Sequence, residues 1–252
     1  MLSLLLALIG LPVGLALDAL IVRLAVAPDD EDDDASGETS ASSVEAAEAE
    51  PPARRLASVH AEAGSLVVAS PSALGGWARR LLVVGATAGL FAVAAARYDD
   101  ASHLAVVTAY VCVLLVCAAT DALCYRVPNV VTYPAIVGAI IVGAAMPDAR
   151  IGAVLAGGAL AGGVLFLPAI LTGGVGMGMG DVKLAAFVGL ALGFTLAVPA
   201  LVFMALAGGA GAIALLLTGR RKRGEPIPYA PFISAGALAT LLWQGAAFVR
   251  LA

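Results

Sequence analysis

Outside one acidic stretch the 252-residue chain carries seven carboxylates: Asp18, Asp99, Asp100, Asp121, Asp148, Asp181 and Glu225. Asp121 closes an apolar run and is followed by Pro128-Asn129, a pair that forces a turn. Asp181 follows Gly174-Val175-Gly176-Met177-Gly178-Met179-Gly180, a loop with so little side-chain bulk that its backbone can approach another chain closely. A carboxylate at the end of an apolar run is costly unless it meets water, a partner or a use. Two such groups within a few ångströms of each other cannot both ionise readily, so they share a proton, and the pair then holds a general base and a general acid together. That is the equipment of an aspartyl hydrolase. The same two residues also suit helix caps, or an ion path through a bundle.

The elements that must position them are membrane helices. Hydrophobic residues make up 61% of the chain and charged residues 13%, against about 45–50% and about 25% in soluble domains. A water-soluble enzyme with one buried core is excluded. Apolar runs long enough to cross a bilayer are expected over about 1–27, 81–97, 102–120, 130–146, 151–172, 182–194, 199–218 and 230–249. The fold class is therefore all-α, a polytopic membrane bundle of about eight transmembrane helices. The run 182–194 is short for a crossing, so it starts within the membrane or shares the crossing with the run after Pro199. Met1-Leu2-Ser3 has no basic residue of the kind that opens a signal peptide, and the first run is read as a retained helix.

Basic residues set the orientation. With the N-terminus outside, one face receives Arg23, Arg54, Arg55, Arg79, Arg80, Arg126, Lys183 and the cluster Arg220, Arg221, Lys222, Arg223, while the other receives Arg97, Arg150 and Arg250. The richer face is cytoplasmic by the positive-inside rule, and Asp121, Asp181 and Glu225 fall on it. Of the 18 acidic residues, 11 lie between Asp29 and Glu62, so the net charge of −4 is a property of one loop. Nucleic acid is not an expected partner, because the 220–223 cluster reads as a topology anchor.

Residues 28–55 are too polar to offset the entropy of ordering and are expected to be disordered within a cytoplasmic insert, 28–78. Cys112, Cys117 and Cys124 include no Cys-x-x-Cys pair, and His60 and His103 stand alone, so no metal site is expected. Gly157-Gly158, Gly162-Gly163 and Gly208-Gly209 suit close helix packing in lipid.

The segment Gly178-Met179-Gly180-Asp181 with Lys183-Leu184 resembles the GxGD signature of membrane aspartyl proteases, in the form found in type IV prepilin peptidases. Asp121 with Pro128-Asn129 is similar to that family's first aspartate motif. Ile227-Pro228-Tyr229-Ala230-Pro231-Phe232 is similar to its IPFGPF segment, and the stretch Gly14 to Arg23 is a looser likeness to its first helix, with Asp18 where the family has Asn.

The resemblance implies a first transmembrane helix over 1–27 and a membrane peptidase domain over 79–252, in the inner (plasma) membrane, with Asp121 and Asp181 as a catalytic pair facing the cytoplasm. Gly176, Gly178, Gly180, Lys183, Pro128 and Asn129 are the residues expected to border the substrate. Lys183 could also act on the pair through its charge, or anchor its span at the interface. The implied substrate is a type IV prepilin or pilin-like protein, with a basic leader on the cytoplasmic side and an apolar helix in the lipid bilayer. No cofactor is implied. Larger family members carry a cysteine-rich, zinc-binding region after the first helix, associated with N-methylation; here the acidic insert takes that place without a cysteine, so methyltransferase activity is not expected. The competing reading is a non-enzymatic membrane protein, a transporter or assembly subunit, with the aspartates as an ion path.

Overall fold

Helices make up almost all of the described residues, because apolar runs in lipid must satisfy their backbone groups internally. The computed structural model describes residues 2–26, 76–171, 177–217 and 228–250. These form α1 (Leu2–Val26), α2 (Gly76–Arg97), α3 (Ala101–Cys124), α4 (Asn129–Ala145), α5 (Ile151–Leu171), α6 (Met179–Leu217) and α7 (Ala230–Trp243), followed by a two-residue antiparallel pair, β1 (Gly245–Ala246) with β2 (Val249–Arg250). Five described helices are long and apolar enough to cross a membrane, while α4 and α7 are shorter apolar helices. The protein is an all-α polytopic membrane protein. Residues Met1–Ala25 with Trp77–Ala252 form one unit and Val26–Gly76 a second. The acidic insert expected over 28–55, and His60, lie outside the described residues.

The runs expected at 182–194 and 199–218 are two helices that meet at a kink at Gly193 and together make up α6. Gly193 has φ 70° and ψ 168°, a conformation that only glycine adopts without strain. The two halves then fold toward each other. Ala185 and Val188 before the break line the same small cavity as Ala200, Leu201 and Met204 after it. In a straight helix Ala185 and Ala200 would stand roughly 22 Å apart at 1.5 Å per residue. The carbonyl of Ala191, beside the break, accepts the Ala247 amide at 3.0 Å.

The last run was expected to reach residue 249 as helix, but α7 ends at Trp243. Gly245 takes φ 112°, which no helix tolerates, and the chain turns into the β1–β2 hairpin. The hairpin's Phe248 is buried and its ring lies 5.0 Å from that of His103 at the start of α3.

Close approach of helix backbones builds the core. Gly157 on α5 and Gly189 on α6 face each other so tightly that a methyl on either would collide with the other's backbone, and Gly162 faces Ala186 one turn along. This is the packing that small residues permit in lipid. In the same way Gly10 and Gly14 of α1 rest on Ala88 and Val84 of α2. That pair of helices also shares a buried charge. Asp18, 1% exposed, accepts from Arg79 Nε at 2.8 Å and from Arg80 Nε at 3.3 Å. A carboxylate inside a membrane helix needs such partners, and Asp18 has two.

Candidate active site

Four helix ends meet around the two aspartates. α3 carries Asp121 in its last turn, 5% exposed, and stops because Tyr125 adopts the left-handed conformation (φ 56°), from which its N–H donates to the Asp121 carbonyl at 2.8 Å. The chain crosses Val127 to Pro128, whose carbonyl receives the Val131 and Thr132 amides and the Thr132 hydroxyl, so α4 starts at Asn129. α6 places Asp181 in its first turn, where the helix dipole favours a carboxylate.

The side chains then fasten these ends to one another. A Cβ on Gly180 would lie 2.9 Å from Val127 Cβ, so the absence of a side chain there lets the start of α6 press against the α3–α4 connection. Lys183, one turn inside α6, donates from Nζ to Asn129 Oδ1 at 3.0 Å, and its ammonium lies 4.9 Å from the centre of the Tyr133 ring. Asp121 and Asp181 are thereby brought within electrostatic reach of each other.

Asp121 is further held by α7. The Ala230 amide donates to Asp121 Oδ2 at 2.9 Å and the Tyr229 amide also bonds to this carboxylate, so it sits on the positive end of a helix. Asp181 is differently placed. Its Oδ2 is 4.0 Å from where a Gly178 Cβ would be, and its Oδ1 is buried with no hydrogen-bond partner among the described residues.

The Tyr229 phenol is half-buried against Gly208 and feels the Asp181 charge; burial first, and that charge second, push its pKa up from the ordinary value, so the hydroxyl remains a donor. Neither Tyr229 nor the Ala230 amide is among the site residues expected from sequence. The signal for the amide is Pro231, which favours the first turn of a helix and so marks where orphan amides must point.

Of the residues expected beside a substrate, Gly180, Lys183, Pro128 and Asn129 are engaged with the protein's own helix ends. Gly178 is exposed beside Asp181. Gly176, Glu225 and the 220–223 cluster lie outside the described residues. Among the described residues no group of three or more His, Cys, Asp or Glu side chains could hold a metal.

Comparison with known proteins finds similarity to one family. Residues 108–214 match the type IV leader peptidase family. The prepilin leader peptidase/N-methyltransferase of Bacillus subtilis (strain 168) is 33% identical over 160 residues, covering 62% of this chain and 63% of the relative. The protein of the same name from Burkholderia pseudomallei (strain 1026b) is 43% identical over 82 residues, covering 32% of this chain and 26% of the relative. The one from Aeromonas salmonicida (strain A449) is 36% identical over 74 residues, 29% of this chain and 25% of the relative. The chain thus spans less than two thirds of the curated relatives it matches, and no solved structure matches it significantly. The matched segment contains Asp121, Asp181 and the ends of α3, α4 and α6, though not the start of α7, and over that segment the chain is similar to the type IV leader peptidase family.

Proposed function

We propose that this protein is a membrane aspartyl endopeptidase that removes the basic leader from type IV prepilins or pilin-like proteins at the cytoplasmic border of the inner membrane. The observation that carries the reading is the pairing of Asp121 and Asp181 at one end of the bundle, one anchored on helix amides and the other with an unpartnered buried oxygen. An ionised carboxylate of the pair takes a proton from water as the water attacks the scissile carbonyl. The protonated partner donates to the developing oxyanion, and the tetrahedral species then breaks its C–N bond as a proton passes to the leaving amine. No covalent enzyme intermediate enters. The two carboxyls titrate as one coupled unit, so the roles of base and acid belong to the pair.

Gly178, exposed beside Asp181, leaves room for a substrate backbone to lie against that carboxyl, and Gly176 is proposed for the same role from its lack of a side chain alone. Pro128, Asn129, Gly180 and Lys183 act one step back, keeping the ends of α3, α4 and α6 together. The names of the relatives couple peptidase with N-methyltransferase. For this chain we propose the peptidase alone, because residues 28–78 contain no cysteine for a four-thiolate zinc site. The mode of substrate recognition follows from the position of the pair: a substrate whose leader stays in water and whose helix lies in the bilayer presents its cut site at the membrane border.

The test is processing of a co-expressed prepilin by wild type, Asp121→Asn and Asp181→Asn at equal membrane abundance. Loss of at least about a hundredfold in both single variants is expected. Processing that survives either substitution overturns the reading and favours an ion path.

A further inference from the structure

We infer that the apolar membrane helix of the substrate docks in a groove along α7, between α2 and the second half of α6, with its cut end at the aspartate pair; this rests on the peptidase reading above.

A cavity of about 820 Å³ opens between Leu90 and Val93 of α2, Phe203 of α6, and Leu238, Ala239 and Leu242 of α7. That size is ample for an organic ligand, for which roughly 300–1,000 Å³ is usual. Its walls are almost wholly apolar, so the occupant must present hydrocarbon. At the far end Arg97 closes the groove by donating from Nε to the Leu242 carbonyl at 3.0 Å.

The groove and the aspartate pair lie along a single helix, α7. α7 begins with the Ala230 amide on Asp121, and its outer face then runs through exposed Ala235 to half-buried Leu238, exposed Ala239 and half-buried Leu242. This spacing of three to four residues is one stripe of a helix. Alanine at 235 and 239 allows a second helix to approach almost to backbone contact, the mode of association that lipid favours.

A guest helix lying beside α7 has the same rise per residue, which fixes its register. Leu238 to Leu242 stand about 8 to 12 residues past Ala230, roughly 12–18 Å at 1.5 Å per residue. Residues about the same number beyond the scissile bond would therefore fill the groove. A phospholipid is the less fitting occupant. Among the described residues Arg97 is the one charged residue lining the groove, and exposed Asp99 and Asp100 lie two and three residues beyond it, so this end carries no net positive charge to hold an anionic headgroup.

The experiment compares two substrates in proteoliposomes: an intact prepilin, and a soluble peptide that spans the cut but lacks the apolar helix. Ala239→Trp fills the groove and is expected to raise KM for the prepilin about tenfold while cleavage of the peptide is unchanged. A photo-crosslinker placed about 8 to 12 residues past the cut should label α7 or α2 of the wild-type enzyme. An unchanged prepilin KM in Ala239→Trp overturns the inference. So does absence of that crosslink, whether the groove then proves to hold co-purifying phospholipid or a second copy joined through α7. If Ala239→Trp impairs both substrates alike, the wild-type crosslink decides. Asp121→Asn separates the two ideas: its failure to abolish peptide cleavage would remove the peptidase reading itself, whereas failure of the groove tests alone leaves that reading in place.

Discussion

The Ala230 amide donates to Asp121 Oδ2 at 2.9 Å across 109 residues of chain, while Oδ1 of Asp181 is buried with no partner among the described residues. The two aspartates thus differ in what they do for the fold. Asp121 satisfies amides at the start of α7 that have no intrahelical acceptor. Asp181 satisfies no neighbour through Oδ1, which leaves that oxygen for a proton, a water or a substrate.

A stability difference follows. Asp121→Ala strands the Ala230 and Tyr229 amides in a buried site and should lower unfolding stability by about 1–3 kcal/mol. Asp181→Ala removes a carboxyl with an unpartnered oxygen and should leave stability within about 1 kcal/mol of wild type. Both should be inactive. Thermal unfolding of the two variants in one detergent makes the comparison; a larger loss for Asp181→Ala would show that the α7 amides do not depend on Asp121.

Lys183 and Asn129 offer a second measurement. If their contact at 3.0 Å holds α6 to α4, the substitutions Lys183→Met and Asn129→Ala should each slow cleavage, and the double variant should be no worse than the poorer single. The corresponding coupling in stability is expected at about 1 kcal/mol, with the Tyr133 contact contributing to the Lys183 effect alone. Strictly additive effects on KM would instead place both side chains independently on the substrate.

The parts of this site that could be read from sequence are those with a local signature. Asp121 and Asp181 end or begin apolar runs, and the Pro128-Asn129 turn and the glycines before Asp181 are visible as composition. Asp18 was visible as a residue but its partners were not, because Arg79 and Arg80 are 61 and 62 residues away and pair with it only once α1 and α2 pack. The donors to Asp121 are backbone amides, which have no residue type to betray them. The runs 182–194 and 199–218 are legible in the sequence, and the interruption falls at Gly193, at the end of the first, where the chain needs a positive φ, while Pro199 is accommodated within the second helix. Composition shows that a break is affordable; only packing, here against Ala247, decides where it falls.

Tyr229 gives a prediction in which pH carries the information. Burial and the Asp181 charge hold the phenol protonated beyond its ordinary range near pH 10, so its state is constant wherever a carboxyl pair could work. Tyr229→Phe should therefore lower kcat about tenfold by the same factor from acid to mildly alkaline pH, without moving either limb of the profile. The sign for stability is the reverse of that for a group whose pKa folding lowers. A raised folded pKa in a phenol favours the fold below the unfolded value, and that advantage is lost as pH climbs from about 10 toward the folded pKa. Wild type should accordingly lose stability relative to Tyr229→Phe above about pH 10, and equal alkaline sensitivity of the two would mean that the phenol is not buried beside Asp181.

Gly180 tests whether close approach, rather than contact with substrate, is what the glycine before Asp181 supplies. A methyl there would meet Val127 Cβ at 2.9 Å and Cγ2 at 3.3 Å, and neither atom lies at the end of a flexible chain. The start of α6 must then back away from the α3–α4 connection, carrying Asp181 from Asp121. A displacement of even part of an ångström between catalytic groups is costly, so Gly180→Ala should lose about tenfold or more in kcat. Removing the opposing side chain restores the room: Val127→Gly in the Gly180→Ala background should recover much of the lost rate, although Val127→Gly alone costs stability through a freer backbone. Measuring kcat for the two single variants and the double variant separates the explanations. If Gly180 instead served as a platform for the substrate backbone, a change at Val127, on the protein side of the contact, could not rescue it.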